Sequence, residues 1–431
     1  MSDQDNGQVS TLQRPTTDDP EAWKAYWKAQ GWPWRIEPEI DADRQKYLAE
    51  RRAIVPDIEQ GIYPFKDVKL SRADVEWLLV THENGRGPVD WSDESQRERE
   101  GLDLRGADLQ EANLSELPLA CLHGGLSRKE RIWGNRQQRR INRQQRSMAN
   151  LHLEHTDLFQ VHLEGSSLRF VRLEDAHLQG AYLQKVDLTD AHCEGTYLRD
   201  AKLDGASLRR ATFDANTFMN GISLGNKRIG FVSLLDVRWN GVNIAGINWK
   251  QVQVLGDEEI AKQRRIDASQ IKDNTRRLFQ YEDALRANRQ LATVLQSQGL
   301  NEDAARFSYR AQKLQRVVLR LQKKFGQYFF SLLLDLLAGY GYRPGRSVIW
   351  YLATILVFAL ASHFLGGLTL YPPDAFVFSI MSFHGRGFFP ALSQETNLHN
   401  PLVMLAALEA IIGLLIEISF IATFTQRFFG R

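Results

Sequence analysis

Residues 151–218 read LHLEHTDLFQVHLEGSSLRFVRLEDAHLQGAYLQKVDLTDAHCEGTYLRDAKLDGASLRRATFDANTF, with an apolar side chain at every fifth position. The series is Leu153, Leu158, Leu163, Leu168, Leu173, Leu178, Leu183, Leu188, Cys193, Leu198, Leu203, Leu208, Phe213 and Phe218. Two residues earlier, small residues or Val prevail, as in Val161, Ser166, Val171, Ala176, Ala181, Val186, Ala191, Thr196, Ala201, Ala206 and Ala211. A period of five fits neither the 3.6-residue turn of a helix nor the two-residue alternation of a strand. It fits a chain that turns a corner every five residues, with the large and small residues inward and the polar ones outward. The pattern begins earlier, at Leu104, Leu109 and Leu114 in LDLRGADLQEANL. It slips around Gly225–Gly230 and resumes at Leu234, Trp239, Ile244, Trp249 and Val254.

The segments ADLQE and ANLSE (107–116) fit the motif A(D/N)LXX, and the tract resembles the pentapeptide-repeat family. That resemblance implies a right-handed quadrilateral β-solenoid over 101–256, its coils stacked at roughly the 4.8 Å strand spacing. Some family members mimic DNA with an acidic surface. Residues 151–224 carry 11 acidic and 7 basic side chains, a balance too mild for that role. His152, His162, His177 and His192 each precede an inward residue and read as solvated face residues rather than metal ligands. Open coil ends invite pairing with other chains. The block 21–100, with Trp23, Trp27, Trp32, Trp34 and the helix-like ADVEWLLVTH, is expected to cap the first coil.

Over the whole chain, 54 Lys and Arg oppose 52 Asp and Glu, so no overall charge points to nucleic acid. The mean hydropathy of −0.37 averages a polar majority with an apolar final segment. Cys121 and Cys193 stand 72 residues apart, which suits neither a disulfide framework nor a zinc site and fits a reducing cytosol. Residues 1–20 are polar and read as disordered, with no signal-peptide core. No nucleophile–base constellation, phosphate loop or metal-ligand spacing emerges. An enzyme, a cofactor and a metal are therefore not expected.

Within the solenoid, the insertion 127–150 reads SRKERIWGNRQQRRINRQQRSMAN. Arg128, Lys129, Arg131, Arg136, Arg139, Arg140, Arg143 and Arg146 face a single acid, Glu130. A solvated helical loop is the preferred reading; an anionic surface, lipid or nucleic acid, is the sharper one. Nucleic acid is disfavoured, because no aromatics interleave with the basic residues.

Residues 257–345 read as a helical connector. Phe307, Ala311, Leu314, Val318, Leu321 and Phe325 form a coiled-coil-like seam, and Leu278, Tyr281, Leu285 and Leu291 a second stripe. The pair resembles a helical hairpin of tetratricopeptide type. FGQYFFSLLLDLLAGYGYRP follows and reads as an interfacial helix on a bilayer, with Asp335 inside it.

The segment 346–431 carries two apolar stretches, 348–370 and 402–424, each long enough to span a bilayer. Arg343 and Arg346 before the first and Arg427 and Arg431 after the second place both chain ends in the cytoplasm by the positive-inside rule. Between them, PPDAFVFSIMSFHGRGFFP offers a short helix over 375–383, capped by Asp374, then a Gly-x-Gly turn. Glu409, Gly413 and Glu417 follow i, i+4, i+8 spacing and form one stripe on the second span. An acid at membrane depth costs about 2.5–3.5 kcal/mol, so that stripe is expected to face a pore or a protein interface.

This arrangement resembles the two-helix pore-loop channels of the potassium-channel superfamily, in which four subunits surround one pore. The chain as a whole resembles bacterial pentapeptide-repeat proteins with a channel-like C-terminus. Phe383, His384, Gly385, Arg386 and Gly387 align with the selectivity filter, and Gly413 falls where a bending glycine is common. The filter threonine is lost and Arg386 replaces the bracing tyrosine, so strict potassium selectivity is not implied. Arg386 either lines the ion path or, as preferred, pairs with Glu409; Glu417 either forms a cation-favouring ring or is a helix-contact acid. The resemblance implies a homotetrameric cation channel of the inner membrane, with lipids and permeant ions as partners. The solenoid would be its sensor or docking domain for an anionic lipid or a protein. The rival expectation is a non-conducting, membrane-tethered scaffold.

Overall fold

A computed structural model describes residues 13–16, 19–126, 149–263, 273–342, 344–366, 371–385 and 401–428. The chain divides into two compact units, Met1–Lys272 with Arg286–Ala304 and Asp273–Leu285 with Ala305–Arg431.

The five-residue repeat builds the first unit. Parallel bridges join His152 to Arg172, Asp157 to His177, His162 to Tyr182 and Ser167 to Asp187, so four repeats close each coil. Backbone N–H groups donate along the stack, as from Leu153 to Arg172 O at 2.9 Å and from Leu158 to His177 O at 2.8 Å. The inward series from Leu153 to Phe213 is buried, together with the small residues two positions earlier. Where the small position is polar its hydroxyl is satisfied: Thr196 donates to Leu173 O at 3.1 Å and Ser166 to Leu119 O at 3.1 Å. Cys193 occupies an inward place and Cys121 is also buried; burial pushes both thiols upward, which leaves them inert.

The corners need a left-handed backbone residue once per repeat. His155, Gln160, Gly165, Phe170, Asp175, Gly180, Lys185 and Asp190 all take it, with φ between 50° and 69°. Such a conformation costs a non-glycine residue about 1–2 kcal/mol, offset here by the continuous ladder. At Gly195 a Cβ would meet the Asp175 carboxylate one coil away, which would have to turn aside.

Two expected inward residues are not inward. Bridge positions Thr212 and Phe218 are six residues apart, because Asp214 accepts from Gly195 N, Asn216 N and Thr217 Oγ1 and holds a longer corner. Phe218 is thereby turned out, 50% exposed and stacked on Tyr197, and Met219 fills the core at 1%. Val254 is only half-buried, since a 3₁₀ turn at Trp249–Gln251 ends the repeat, and Leu255 is buried instead. The slip at 225–230 is a hairpin in which β1 (Gly225–Asn226) pairs with β2 (Gly230–Phe231), antiparallel.

Both ends of the stack are covered. At the start, α1 (Pro20–Ala29), α2 (Ala42–Arg52) and α3 (Arg72–Val80) precede the first coil. The extended strip beside α3 joins the ladder, with Leu70 N donating to Asp108 O and Asp108 N to Val68 O, both at 2.9 Å. Arg72 and Glu76 of α3 pair at 2.8 Å, and Glu76 accepts from Ile36 N and Glu37 N, tying down the loop between α1 and α2. At the far end, α4 (Gly256–Lys262) donates through Gly256 N to Val232 O, and its Asp257 accepts from Leu234 N at 2.7 Å. The later part of α5 (Asn274–Ser297) and the turn after it supply glutamines to the last coil. Gln290 accepts from Asp236 N at 3.0 Å, and Gln298 accepts from Ile244 N at 2.9 Å while donating to Val242 O at 2.6 Å.

The second unit is helical. It contains the first turns of α5, most of α6 (Asn301–Leu321), α7 (Phe325–Ala338), α8 (Pro344–Gly366), α9 (Pro372–Phe383) and α10 (Pro401–Phe428). The expected seam is buried from Phe307 through Val318. It does not reach its last two members: Leu321 ends α6 half-buried, and Phe325, which starts α7, is exposed. Helices α8 and α10 contain windows at Gly345–Leu365 and Pro401–Ile421 that are long and apolar enough to cross a membrane. The first begins four residues earlier than the sequence suggested, since Pro344 is tolerated in a first turn.

Candidate functional site

Helix α9 lies between α8 and α10, and its contacts fix the direction of all three. Ser379 meets Ile355 and Glu409, whereas four to five residues on, Phe383 and His384 meet Tyr351, Gly413 and Glu417. Partner numbers fall along α8 and rise along α10. Helix α9 therefore runs antiparallel to α8 and parallel to α10, ending level with Glu417. The next described residue, Pro401, lies 16 residues back along α10, about 24 Å at the helical rise.

Three contacts set the register of α9 on α10. Glu409 is buried, and one carboxylate oxygen accepts the Ser379 hydroxyl, which is also close to Ile355 O at 2.9 Å; the other has no partner among the described residues. Gly413 comes next. A Cβ there would run into the Phe383 carbonyl oxygen, so the glycine permits close backbone approach. Helix α10 is unbroken through this position. Glu417 then bonds His384 Nδ1; with that N–H donating to the carboxylate, Nε2 accepts the Tyr351 hydroxyl at 3.2 Å. The stripe Glu409, Gly413, Glu417 thus faces α9.

The remaining sequence candidates fall elsewhere. Phe383 is buried among Leu337, Ile355 and Ile416, edge-on to Tyr351. Gly385 takes φ +67° and closes the helix end, donating to Ser382 O at 3.0 Å. Asp374 does not cap α9: the helix starts at Pro372 with Tyr371 as N-cap, and Asp374 is an exposed acid in the first turn, where it complements the helix dipole. Arg386 and Gly387 lie outside the described residues, as do the eight basic residues of the insertion from Arg128 to Arg146.

Sequence reasoning missed Tyr351, which looks like an ordinary span residue, and Ser379, which looks like an ordinary residue of the short helix, until α9 is laid against its neighbours. It also left Asp335 without a role. That carboxylate accepts from Tyr309 Oη at 3.0 Å and Arg316 Nη1 at 2.7 Å, while Arg346 Nη1 donates to its carbonyl at 3.0 Å. Burial opposes its charge, yet the bonds from Arg316 and Tyr309 hold its carboxyl below the usual carboxylate range. The signal was present: a lone acid in an apolar run demands a partner. One residue thereby ties α6, α7 and the start of α8 together.

Stacked four-repeat coils with A(D/N)LXX spacing define the first unit as a pentapeptide-repeat solenoid. In agreement, the family model described as pentapeptide repeats matches residues 156–192 and 176–214. Similar solved structures include the pentapeptide repeat protein Rfr23 from the cyanobacterium Cyanothece 51142, 23% identical, with 31% of this chain and 64% of that one covered and a TM-score of 0.17. Another is HetL of Nostoc sp. strain PCC 7120, involved in heterocyst differentiation regulation, at 24% identity, 31% and 52% coverage and a TM-score of 0.17. A third, from the Arabidopsis thaliana thylakoid lumen, is 18% identical, with 35% and 74% covered and a TM-score of 0.15. The first two matches span less than two-thirds of those chains. No curated protein matches the sequence.

Proposed function

We propose that the chain is the pore-forming subunit of a tetrameric ion channel in the cytoplasmic membrane, with both ends and the solenoid on the cytoplasmic side. One observation carries the proposal: a short helix runs back between two apolar helices and ends beside the second, its C-cap His384 bonded to Glu417. In the bilayer that this proposal puts around α8 and α10, non-helical backbone at the end of α9 needs a water-lined or protein-enclosed site. The C-terminal end of α9 brings partial negative charge to the same place, which favours cations. The exposed apolar residues of α8 and α10, among them Ile349, Leu352, Leu356, Ile411, Leu414 and Ile418, suit lipid contact. In this reading the solenoid docks an anionic lipid or a protein, and α6 and α7 pass the signal on through Asp335.

A second reading, the non-conducting scaffold, has its own support. Glu417 is engaged by His384 within one chain, which weakens a free carboxylate ring. Planar-bilayer recording of the purified full-length protein separates the two. The channel predicts unitary currents whose size or selectivity changes in Glu417→Gln or Arg386→Gln. Silence under every ligand, salt and membrane tension applied, from a particle of normal size, selects the scaffold.

A further inference from the structure

Coil periodicity stacks the residue after each inward position on its counterparts one coil away. On one edge of the solenoid that column is Glu154, Glu174, Glu194 and Asp214, in line with the bridges His152 to Arg172 to His192 to Thr212. The other edges break any such series: Phe159, Gln179, Arg199; Glu164, Gln184, Asp204; Arg169, Thr189, Arg209. Carboxylates one coil apart, at about 4.8 Å, repel unless a counter-charge intervenes.

Two of the three gaps are served. Arg172 Nε lies 2.9 Å from Glu154 Oε1 and 3.3 Å from Glu174 Oε1 and bridges the first pair. Asp214 turns to Gly195 N at 2.7 Å and to Thr217 Oγ1 at 2.9 Å. Between Glu174 and Glu194, the place that Arg172 fills one coil earlier belongs to His192. Its Nδ1 is 4.0 Å from Glu194 Oε1, beyond hydrogen-bond reach. Oε2 of Glu174 and Oε2 of Glu194 are enclosed with no hydrogen-bond partner among the described residues. One ligand atom from each of Glu174, His192 and Glu194 lies within 4.8 Å of the other two.

We propose that Glu174, His192 and Glu194 bind a first-row divalent metal ion, zinc fitting best. A neutral imidazole and two carboxylates are a donor set that such ions accept, with bonds of about 2.0–2.2 Å. Modest rotations of three solvent-reachable side chains bring the donors to that distance, and water completes the coordination. The ion then does for Glu174 and Glu194 what Arg172 does for Glu154 and Glu174. It also ties two successive coils through side chains. Ligand spacing hides the site, because only the 20-residue coil brings position 174 beside 192 and 194.

The test is calorimetric titration of the full-length, chelator-stripped protein with Zn²⁺, with Mg²⁺ as the control ion. The expected result is a zinc site that His192→Ala or Glu174→Gln weakens at least about tenfold. His162→Ala, on another edge, leaves it unchanged. His192→Arg copies the neighbouring coil, so it folds and abolishes the same binding. X-ray absorption at the zinc edge reads one imidazole among oxygen ligands. Isotherms that are identical in wild type and His192→Arg, or no saturable uptake by the wild type, overturn the proposal.

Discussion

At the scale of single residues, Asp335 shows how one side chain serves stability and connection together. The unfolded chain holds an Asp near pKa 3.9, and the folded value is lower. The sign follows: the stabilisation is complete above about pH 4 and is lost as pH falls through the folded value. Asp335→Asn should cost about 1.5–3 kcal/mol at neutral pH, as for hydrogen bonds to charged groups. Thermal melts of the detergent-solubilised protein between pH 6 and pH 2 should show the gap between wild type and variant closing on the acid side. A gap that stays constant over the range would rule out the charged pairing with Arg316. The contrast with Phe218 is instructive. Its apolar character predicted burial, yet one extra residue after Phe213 turned it outward, and nothing in a five-residue count reveals such an addition.

At the scale of elements, the start of the coil stack is finished by the strip at Val68–Leu70, which pairs with it through the backbone, and the far end largely by side chains. Gln298 serves Ile244 N and Val242 O together. Gln298→Ala leaves both groups without that partner, a cost of about 1–3 kcal/mol, or several degrees of melting temperature. Circular-dichroism melts would register it, and an unchanged melt would mean that water serves those groups equally well. The coils themselves were legible because their period is independent of any other part of the chain. The seam of α6 was legible for the same reason, up to Val318. The start of α9 was misjudged, since Asp374 is as good a cap as a sequence can offer and the prolines before it admit an earlier start. The pairing of α9 with α10 was only half legible. The stripe of Glu409, Gly413 and Glu417 announced a facing element, but Ser379 and His384 have no spacing of their own to declare them as its partners.

At the scale of the whole molecule, the coil spacing lengthens between Leu126 and Ala149, after the first complete coil. Asp108 and His152 form a bridge although 44 residues separate them, whereas 20 separate His152 and Arg172. Leu151 N donates to Gly124 O at 3.1 Å, and Leu126 and Ala149 share one apolar cluster with Tyr63. The chain therefore leaves and re-enters the stack at nearly one point. Deleting residues 127–148 should leave far-UV circular dichroism and the melting temperature within a few degrees of the full chain. Any anionic-vesicle binding that the basic residues supply should be lost, and a deletion that fails to fold would make the insertion part of the solenoid's core.

The three contacts between α9 and α10 have a mechanical meaning. Hydroxyl on acid, carbonyl on bare Cα and imidazole on acid come at successive heights, like teeth in a rack. Sliding the shorter helix by one turn would unseat all three at once and press a side chain against the carbonyl that Gly413 now admits. The two helices consequently share one register, and a force applied to either is borne by both as a single lever.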